Sequence, residues 1–320
     1  MDATRITFID SSFINSNTDF SLLMHELKLA FAANNVEVPS RQHHDFKNTG
    51  QQADSTLLLM PAWHGGKDAG VKIVTISPDN GKLALPSIQG TYIYLDAATG
   101  AVKAIMDAKA LTAKRTAAAS ALASSFLSKQ TASSLLMVGT GALSKNLILA
   151  HASVRPIEKV FVWGRNFDKA CAVANDLQGA QFSIEAVENI EDVIADVDII
   201  SCATLSKTPL VFGKDLVAGQ HVDLVGSYRK DMREADDETI LKSQIFVDTH
   251  YGALHETGDI CIPIQNGIIS AQCLKADLFE LCAGTKPGRV LEEDITVFKS
   301  VGHSLEDLIA ARYYYDKYMQ

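Results

Sequence analysis

The clearest pattern of apolar and glycine residues lies in the middle of the chain, between residues 134 and 165. An unbroken apolar run at Leu135–Val138 predicts a buried strand. A glycine-containing segment, Gly139-Thr140-Gly141-Ala142-Leu143-Ser144, follows it, and apolar residues then recur at helical spacing over 147–154. A second apolar run, Val160–Trp163, predicts another strand. Strand, turn, helix and strand together predict one βαβ unit.

The region before this unit has a different pattern. Apolar residues at helical spacing predict one helix at Leu22–Ala33. Strands are predicted at Ile6–Ile9, Thr56–Met60, Val71–Ser77, Thr91–Asp96 and Val102–Met106. The turn residues Asp96-Ala97-Ala98-Thr99-Gly100 predict that the last two strands form a hairpin. Several strands after a single helix predict an antiparallel or mixed sheet in a lobe of its own.

The region after the unit continues to alternate strand and helix. A long helix is predicted at 108–128, before the unit. After the unit, strands are predicted at Phe182–Val187, Asp198–Ala203, His221–Gly226 and Gln244–Asp248, with helical stretches between them, followed by a helix at Leu274–Cys282, a strand at Ile295–Lys299 and a helix from about Ser304. This alternation is typical of a parallel, doubly wound sheet. We therefore expect an α/β protein with a Rossmann domain over residues 116–299. A second, α+β lobe is expected to comprise residues 1–115 and 300–320.

The glycine segment predicts a dinucleotide site. Gly139 would permit the tight turn, and Gly141 would let the backbone approach a pyrophosphate at the helix N-terminus, where free N–H groups favour an anion. Ser144 stands where the usual pattern has a third glycine, and it is small enough for close packing. The motif is weak alone and strong between two strands. The alternative is an ordinary βαβ turn that uses glycine only for its geometry.

The end of the second strand indicates the type of dinucleotide. NAD-binding units usually place Asp or Glu there to hold the ribose 2′-hydroxyl, whereas this chain has Gly164-Arg165-Asn166. A guanidinium can pair with a 2′-phosphate through two hydrogen bonds. The sequence therefore predicts NADPH, and it leaves open whether NADH also serves. A solvated surface arginine is the alternative, because Asp168 lies close by in the sequence.

Composition excludes several classes of protein. The 320 residues are 47% hydrophobic and 21% charged, as in globular domains, and the net charge of −9 argues against a nucleic-acid or membrane-surface partner. We expect no signal peptide and no membrane span. Five cysteines without C-x-x-C spacing indicate reduced thiols and a cytoplasmic location. With neither zinc spacing nor H-E-x-x-H, no metal site is expected.

Three cations stand where an apolar fold does not need them. Lys72 opens an apolar strand, Arg115 lies in an alanine-rich helix, and Arg41 follows a Pro-Ser turn. Each alone is more often solvated or part of a structural ion pair. The occurrence of all three is explained if they converge on one carboxylate, because buried cations need an anionic partner. Two polar stretches, Ser201–Thr204 and Leu224–Tyr228, follow strands whose carboxyl ends are the usual ligand site of such sheets.

Motifs along nearly the whole chain resemble the ornithine cyclodeaminase/mu-crystallin family. They are Met60-Pro61-Ala62, Gly70-Val71-Lys72, Leu85-Pro86-Ser87, the helix segment Asp107…Leu111-Thr112-Ala113-Lys114-Arg115-Thr116-Ala117-Ala118-Ala119-Ser120, Val138–Leu143, and Val297-Phe298-Lys299-Ser300-Val301-Gly302. The resemblance implies a Rossmann domain paired with a dimerising, substrate-binding lobe, a site between them, and a homodimer.

The resemblance also implies roles for individual residues. Arg41, Lys72 and Arg115 match the cations that hold the substrate carboxylate, and we expect Lys72 and Arg115 to be catalytic. Val301 is expected beside the substrate. With Gly139 and Gly141, the expected cofactor-binding residues are Ser87, Arg115, Ala142, Leu143, Arg165, Thr204, Val225 and Ser300.

One departure from the family pattern bears on the activity. Ornithine cyclodeaminases carry an Asp general acid/base shortly after the Val225-Gly226 position, where this chain has Tyr228. A phenol, with an ordinary pKa of about 10, is a poor base at neutral pH. The chain therefore looks more like the family's NAD(P)H-dependent reductases of cyclic ketimines, which convert Δ1-pyrroline-2-carboxylate and Δ1-piperideine-2-carboxylate to L-proline and L-pipecolate.

Three alternatives to a ketimine reductase remain open. The chain could be an ornithine cyclodeaminase after all, or an amino-acid oxidoreductase related to alanine dehydrogenase, which would differ only in pocket shape. It could also be a dinucleotide-dependent binding protein with little turnover, as mu-crystallin is. The set of three cations weighs against a pure binding protein.

Overall fold

The computed structural model describes residues 6–49 and 53–320, and the chain divides into two compact units. The first comprises the chain up to Ala30, Asn34–Arg115 and His303–Gln320, and the second comprises Phe31–Ala33 and Thr116–Gly302. None of the helices in the described ranges is both long enough and apolar enough to cross a lipid bilayer.

The regular elements are named here in chain order. The helices are α1 (Ser11–Ser16), α2 (Phe20–Ala33), α3 (Ala108–Leu127), α4 (Ser144–Ala152), α5 (Phe167–Asp176), α6 (Asp237–Lys242), α7 (His250–Glu256), α8 (Gly258–Gln265), α9 (Leu278–Ala283) and α10 (Ser304–Met319). The strands are β1 (Thr7–Ile9), β2 (Gln42–Phe46), β3 (Ser55–His64), β4 (Asp68–Ile76), β5 (Ile88–Asp96), β6 (Val102–Asp107), β7 (Ser134–Val138), β8 (Lys159–Trp163), β9 (Ser183–Val187), β10 (Ile199–Cys202), β11 (His221–Leu224), β12 (Ser243–Val247), β13 (Leu274–Asp277) and β14 (Ile295–Lys299).

The first unit is built on a six-stranded mixed sheet in the order β1-β6-β5-β4-β3-β2, in which only the β1–β6 pair is parallel. Its register aligns Met60, Lys72, Tyr92 and Met106 across four strands, and all four side chains are buried. Helix α10 packs against β1, β3, β4 and β5. The alternation of side chains along β4 thus puts a lysine in a row of core residues.

The opposite face of this sheet is apolar and incompletely covered. Phe8, Ile105, Ile93, Val71 and Pro61 are aligned in one row across five strands, which we call the outer row. None of its members is buried, and Phe8 is 70% exposed. An apolar row of this kind is typical of a surface that another element or chain covers.

The second unit is an eight-stranded, entirely parallel sheet in the order β13-β12-β14-β11-β10-β7-β8-β9. From β7 the chain proceeds outward through β8 and β9, and then returns to place β10 on the other side of β7. The order therefore reverses between β7 and β10, which is where such sheets bind dinucleotides. The predicted doubly wound α/β fold is confirmed.

One predicted helix was wrong, and β2 and α1 are among the elements that were not predicted. The expected helix at Leu274–Cys282 is strand β13 followed by the short helix α9, because Leu274 and Ala276 are buried while Lys275 is exposed, and Asp277 caps α9. Strand β2 was missed because all five of its residues are exposed, so it has no buried face to produce a pattern. Helix α1 was missed as well.

Candidate active site

The turn after β7 has the geometry that the glycine motif predicts. Gly139 has φ +125°, and a Cβ atom on it would lie 2.6 Å from the carbonyl oxygen of Ala203, so only glycine fits. Ser144 begins α4, and its Oγ donates a hydrogen bond of 2.8 Å to the Gly139 carbonyl. The residue that replaces the third glycine therefore closes the turn.

The surface of this turn fits a diphosphate. A Cβ atom on Gly141 would meet nothing within 4 Å, and Gly141 and Ala142 are exposed while Leu143 is half-buried. No side chain caps the N-terminus of α4, and the Ser144 N–H donates a 3.2 Å hydrogen bond to the Gly141 carbonyl. Open backbone and uncapped N–H groups at a helix N-terminus are suited to bind an anion.

Arg165 follows β8 and is exposed. The next residue, Asn166, caps α5 by accepting a 3.0 Å hydrogen bond from the Lys169 N–H, and Asp168 is exposed in the first turn of that helix. The backbone of Arg165 thus lies at the strand end, directly before a capped helix, and its side chain is exposed to a ligand.

A buried carboxylate organises the turns after β10 and β11. Oε1 of Glu234 accepts hydrogen bonds from the Thr204 N–H at 2.6 Å and the Thr204 hydroxyl at 2.8 Å, and Oε2 accepts one from the Gly226 N–H at 2.7 Å. Glu234 is 0% exposed. Burial raises the pKa of the Glu234 carboxyl to about 7; Lys299 opposes this rise and Asp259 adds to it. Val225, expected at the cofactor, is buried between the two turns.

A second buried carboxylate, Asp248, holds the turn after β14. Its Oδ2 accepts hydrogen bonds from the N–H groups of Val301 and Gly302, both at 2.7 Å, and from the Ser300 hydroxyl at 3.3 Å. Sequence reasoning predicted Ser300 and Val301 but missed both Asp248 and Glu234. Asp248 directly follows an apolar strand, which is a usable signal, whereas Glu234 lies in a polar loop that gives none.

In the first unit, Lys72 and Arg115 converge on two buried carboxylates of α10. Lys72 Nζ lies 2.6 Å from Asp307 Oδ2, Arg115 Nε donates to Asp307 Oδ1 at 2.9 Å, and Arg115 Nη1 donates to Glu306 Oε2 at 2.7 Å. All four side chains are buried. Glu306 and Asp307 were missed, although two adjacent acids in an otherwise apolar helix segment could have indicated them.

The charges of this cluster set its protonation. Burial lowers the pKa of Lys72 to about 8; Asp307 opposes that shift, whereas the positive charges of Arg115 and Arg41 add to it. Burial also acts on Arg115, but Asp307 and Glu306 more than offset it and raise its pKa, so the guanidinium stays charged. Despite burial, Arg115 and Lys72 hold the pKa of Asp307 below its ordinary value.

The other predicted residues of the first unit lie elsewhere in it. Arg41 is half-buried just before β2, within electrostatic reach of Lys72. Ser87 is exposed, and its carbonyl accepts a 2.8 Å hydrogen bond from the Ser77 N–H. Within the described residues, no contact joins Ser87 to the Lys72–Arg115 cluster.

Two further features bear on the chemistry of the second unit. Tyr228 is half-buried after β11, in a loop that Ser227 braces by donating a 2.7 Å hydrogen bond to the Met232 carbonyl. In the described ranges, one set of side chains has metal-ligand spacing: His250, Asp277 and Glu280, with ligand atoms within 4.8 Å. Asp277 and Glu280 already form the capping box of α9. The absence of a metal site stays a prediction.

A doubly wound sheet with an open glycine turn at its switch point defines a dinucleotide-binding enzyme. A sequence profile of the ornithine cyclodeaminase/mu-crystallin family matches residues 8–320, and the chain belongs to this family.

Within this family, the chain is similar to oxidoreductases that use nicotinamide cofactors. The chain is 34% identical to the Δ1-pyrroline-2-carboxylate reductase of Colwellia psychrerythraea, covering 95% of this chain and 96% of that protein. Its fold matches that of the Thermococcus litoralis Δ1-pyrroline-2-carboxylate reductase in complex with NADH and L-proline, with a TM-score of 0.90, 31% identity and 98% of each chain covered. The fold also matches that of an archaeal alanine dehydrogenase dimer with bound NAD, with a TM-score of 0.89 and 25% identity, covering 98% of this chain and 96% of that chain. The protein is an NAD(P)H-dependent oxidoreductase.

Proposed function

We propose that the enzyme reduces a cyclic ketimine carboxylate, Δ1-pyrroline-2-carboxylate, to L-proline, with Δ1-piperideine-2-carboxylate and L-pipecolate as a second pair. The observation that carries this proposal is the buried Lys72–Arg115 pair. Arg115 donates from Nε to Asp307 and from Nη1 to Glu306, and Lys72 forms an ion pair with Asp307. Among the described residues, no side chain or carbonyl accepts a hydrogen bond from Arg115 Nη2. These remaining N–H donors could bind a substrate carboxylate.

The proposed chemistry divides between cofactor and protein. The bound nicotinamide supplies the hydride that adds to C2 of the imine. Arg115, together with Arg41, holds the substrate carboxylate and so fixes the position of C2. Glu306 and Asp307 keep Arg115 in one orientation. Lys72, whose pKa of about 8 lies near neutral pH, holds a proton that can pass to the ring nitrogen.

The proposed cofactor is NADPH, with NADH also accepted. The exposed Arg165 at the end of β8 supports the phosphorylated form, because a guanidinium can pair with the 2′-phosphate. The structure of the related Thermococcus litoralis enzyme contains NADH, which supports the proposal that NADH is also accepted. In an Arg165→Ala variant, the ratio of kcat/KM for NADPH to that for NADH should fall about tenfold or more. This is the effect expected for the loss of one charged hydrogen bond. An unchanged ratio would refute the assignment.

Tyr228 supports a reductase over an ornithine cyclodeaminase, because a phenol in the place of the Asp is a poor general base. An amino-acid oxidoreductase is the second candidate, favoured by the fold shared with the archaeal alanine dehydrogenase. A binding protein with little turnover is the third, and the buried cation pair weighs against it.

We also propose that the enzyme is a homodimer that uses the outer row of the first unit. This row is apolar and unburied along its length, and the related alanine dehydrogenase is described as a dimer. A cytoplasmic location is proposed because all five cysteines are free thiols, as is usual in a reducing compartment.

The test is a steady-state assay of nicotinamide absorbance with purified protein, NADPH or NADH, and Δ1-pyrroline-2-carboxylate. Parallel reactions contain pyruvate with ammonia, or ornithine with NAD and an ammonia detector. The proposal predicts rapid cofactor oxidation with the imine and none with pyruvate. Ammonia release from ornithine would favour the cyclodeaminase, turnover of pyruvate would favour the second candidate, and cofactor binding without turnover would favour the third.

A further inference from the structure

We propose that Glu234 is a positioning residue that holds the turns after β10 and β11 in the shape required by the nicotinamide half of the dinucleotide. This inference rests on the proposed function in one respect, the placement of Thr204 at the cofactor. Glu234 itself would touch neither cofactor nor substrate.

The hydrogen bonds of Glu234 explain why this position needs a carboxylate. Three donors converge on it: the N–H and hydroxyl of Thr204, and the N–H of Gly226. A carboxylate accepts with both oxygens, whereas an amide of the same shape presents a donor on one side. One side chain thus ties the turn after β10 to the turn after β11, and it fixes the orientation of the Thr204 side chain.

The turns are packed too closely for a displacement to be absorbed locally. A Cβ atom on Gly226 would lie 2.0 Å from the Thr204 carbonyl oxygen and 2.6 Å from Glu234 Oε1. A change at Glu234 is therefore transmitted to the backbone of the turns after β10 and β11.

Glu234 is itself fixed by buried charges. Its N–H donates a 2.7 Å hydrogen bond to Asp259 Oδ1, and Asp259 Oδ2 lies 3.1 Å from Lys299 Nζ. All three side chains are 0% exposed. Lys299 belongs to β14, so the network connects the ends of three neighbouring strands. A buried polar network of this kind makes the surrounding structure rigid, which suits a support for a ligand.

The strand order indicates which half of the dinucleotide is affected. Arg165 follows β8, on one side of β7, and this is the side that binds the adenosine ribose in such folds. Thr204 and Gly226 follow β10 and β11, on the other side. The Glu234 network should therefore influence the nicotinamide half and leave the adenosine diphosphate half unaffected.

The experiment compares the Kd of NADH with the Kd of ADP, measured by calorimetry, for the wild type and Glu234→Gln. We expect the Kd of NADH to rise about tenfold to a hundredfold, as for loss of charged hydrogen bonds, and the Kd of ADP to change by less than about twofold. The Glu234→Asp variant keeps the charge on a shorter side chain, and its Kd for NADH should lie between those of the wild type and Glu234→Gln. The matched control is Asp223→Asn. Asp223 is a fully buried carboxylate of β11, and its hydrogen-bond partners among the described residues are the side chains of Ser201, Ser120 and His151.

Equal weakening of NADH and ADP in Glu234→Gln would show a general structural role and overturn the inference, as would unchanged values for both. A shift in the NADH-to-ADP ratio in the Asp223→Asn control would also overturn it. If Glu234→Gln fails to fold, the Glu234→Asp variant carries the same comparison. Because no imine is present, a wild-type protein that binds NADH but does not reduce Δ1-pyrroline-2-carboxylate would refute the proposed substrate and leave this test intact.

Discussion

Arg115 has two separable roles in this account, support of the α10 carboxylates and binding of substrate, and the first can be tested without any substrate. In an Arg115→Met variant the side chain keeps much of its volume, but Glu306 loses its ion pair with Arg115. Asp307 keeps its ion pair with Lys72. Both carboxylates would remain 0% exposed, so they would be buried with less charge compensation.

The expected magnitude follows from this geometry. Removing one partner of a buried ion pair typically costs about 3–5 kcal/mol of stability, because the remaining charge stays desolvated. At about 2–4 °C per kcal/mol for a chain of this size class, the midpoint of thermal unfolding should fall by roughly 10 °C. Arg115 now lowers the pKa of Asp307, so its loss should raise that pKa. The deficit in stability should therefore be smaller at pH 5 than at pH 8.

The assay is thermal and urea unfolding followed by circular dichroism, at both pH values. Arg115→Lys is the matched control, because it keeps the charge; it should unfold close to the wild type and still raise the KM for the imine, since a lysine cannot bind the carboxylate bidentately. The double variant Arg115→Met/Asp307→Asn should recover part of the loss. An Arg115→Met protein with wild-type stability at pH 8 would refute the reasoning.

Three further predictions concern Lys72, His221 and Phe8. Lys72 must be protonated to act as proposed, so kcat/KM should fall as pH rises through about 8, and Lys72→Arg should move that fall to higher pH; a profile flat to pH 10 would contradict the role. Burial lowers the pKa of His221 to about 3, below its unfolded value of about 6.5. Between these values only the unfolded chain binds the proton, so stability should be lost as pH falls from 6.5 towards 3, and urea unfolding of His221→Gln should show a shallower loss. Phe8→Asp should convert the proposed dimer to a monomer in sedimentation, and an unchanged sedimentation coefficient would rule out the outer row as the interface.

The fold of the second unit could be predicted from the sequence because short, local residue patterns identify its strands and its glycine turn. Continuous apolar runs bounded by turn residues, such as Leu135–Val138, are typical of buried strands in a parallel sheet, and Gly139 is required at a φ of +125°. The exception, Leu274–Asp277, was misread because a short strand joined directly to a capped helix has too few residues to show its period.

The chemistry of the first unit was less predictable because it depends on contacts between distant segments. Lys72 and Arg115 were noticed as misplaced cations, but their anionic partners lie about 190–240 residues further along the chain. Sequence reasoning had allowed that each was a structural ion pair. That ion pair is present, and its unused donors are what the substrate proposal depends on. Glu234 could not have been found, because its partners Thr204 and Gly226 are brought to it only by the fold.

The most direct test of the central claim follows the hydride itself. The enzyme is incubated with Δ1-pyrroline-2-carboxylate and NADPH deuterated at the transferable position of the nicotinamide, and the product is analysed by mass spectrometry and chiral chromatography. The account predicts L-proline carrying one deuterium at C2. Proline without deuterium, or no proline while the cofactor stays reduced, would contradict it.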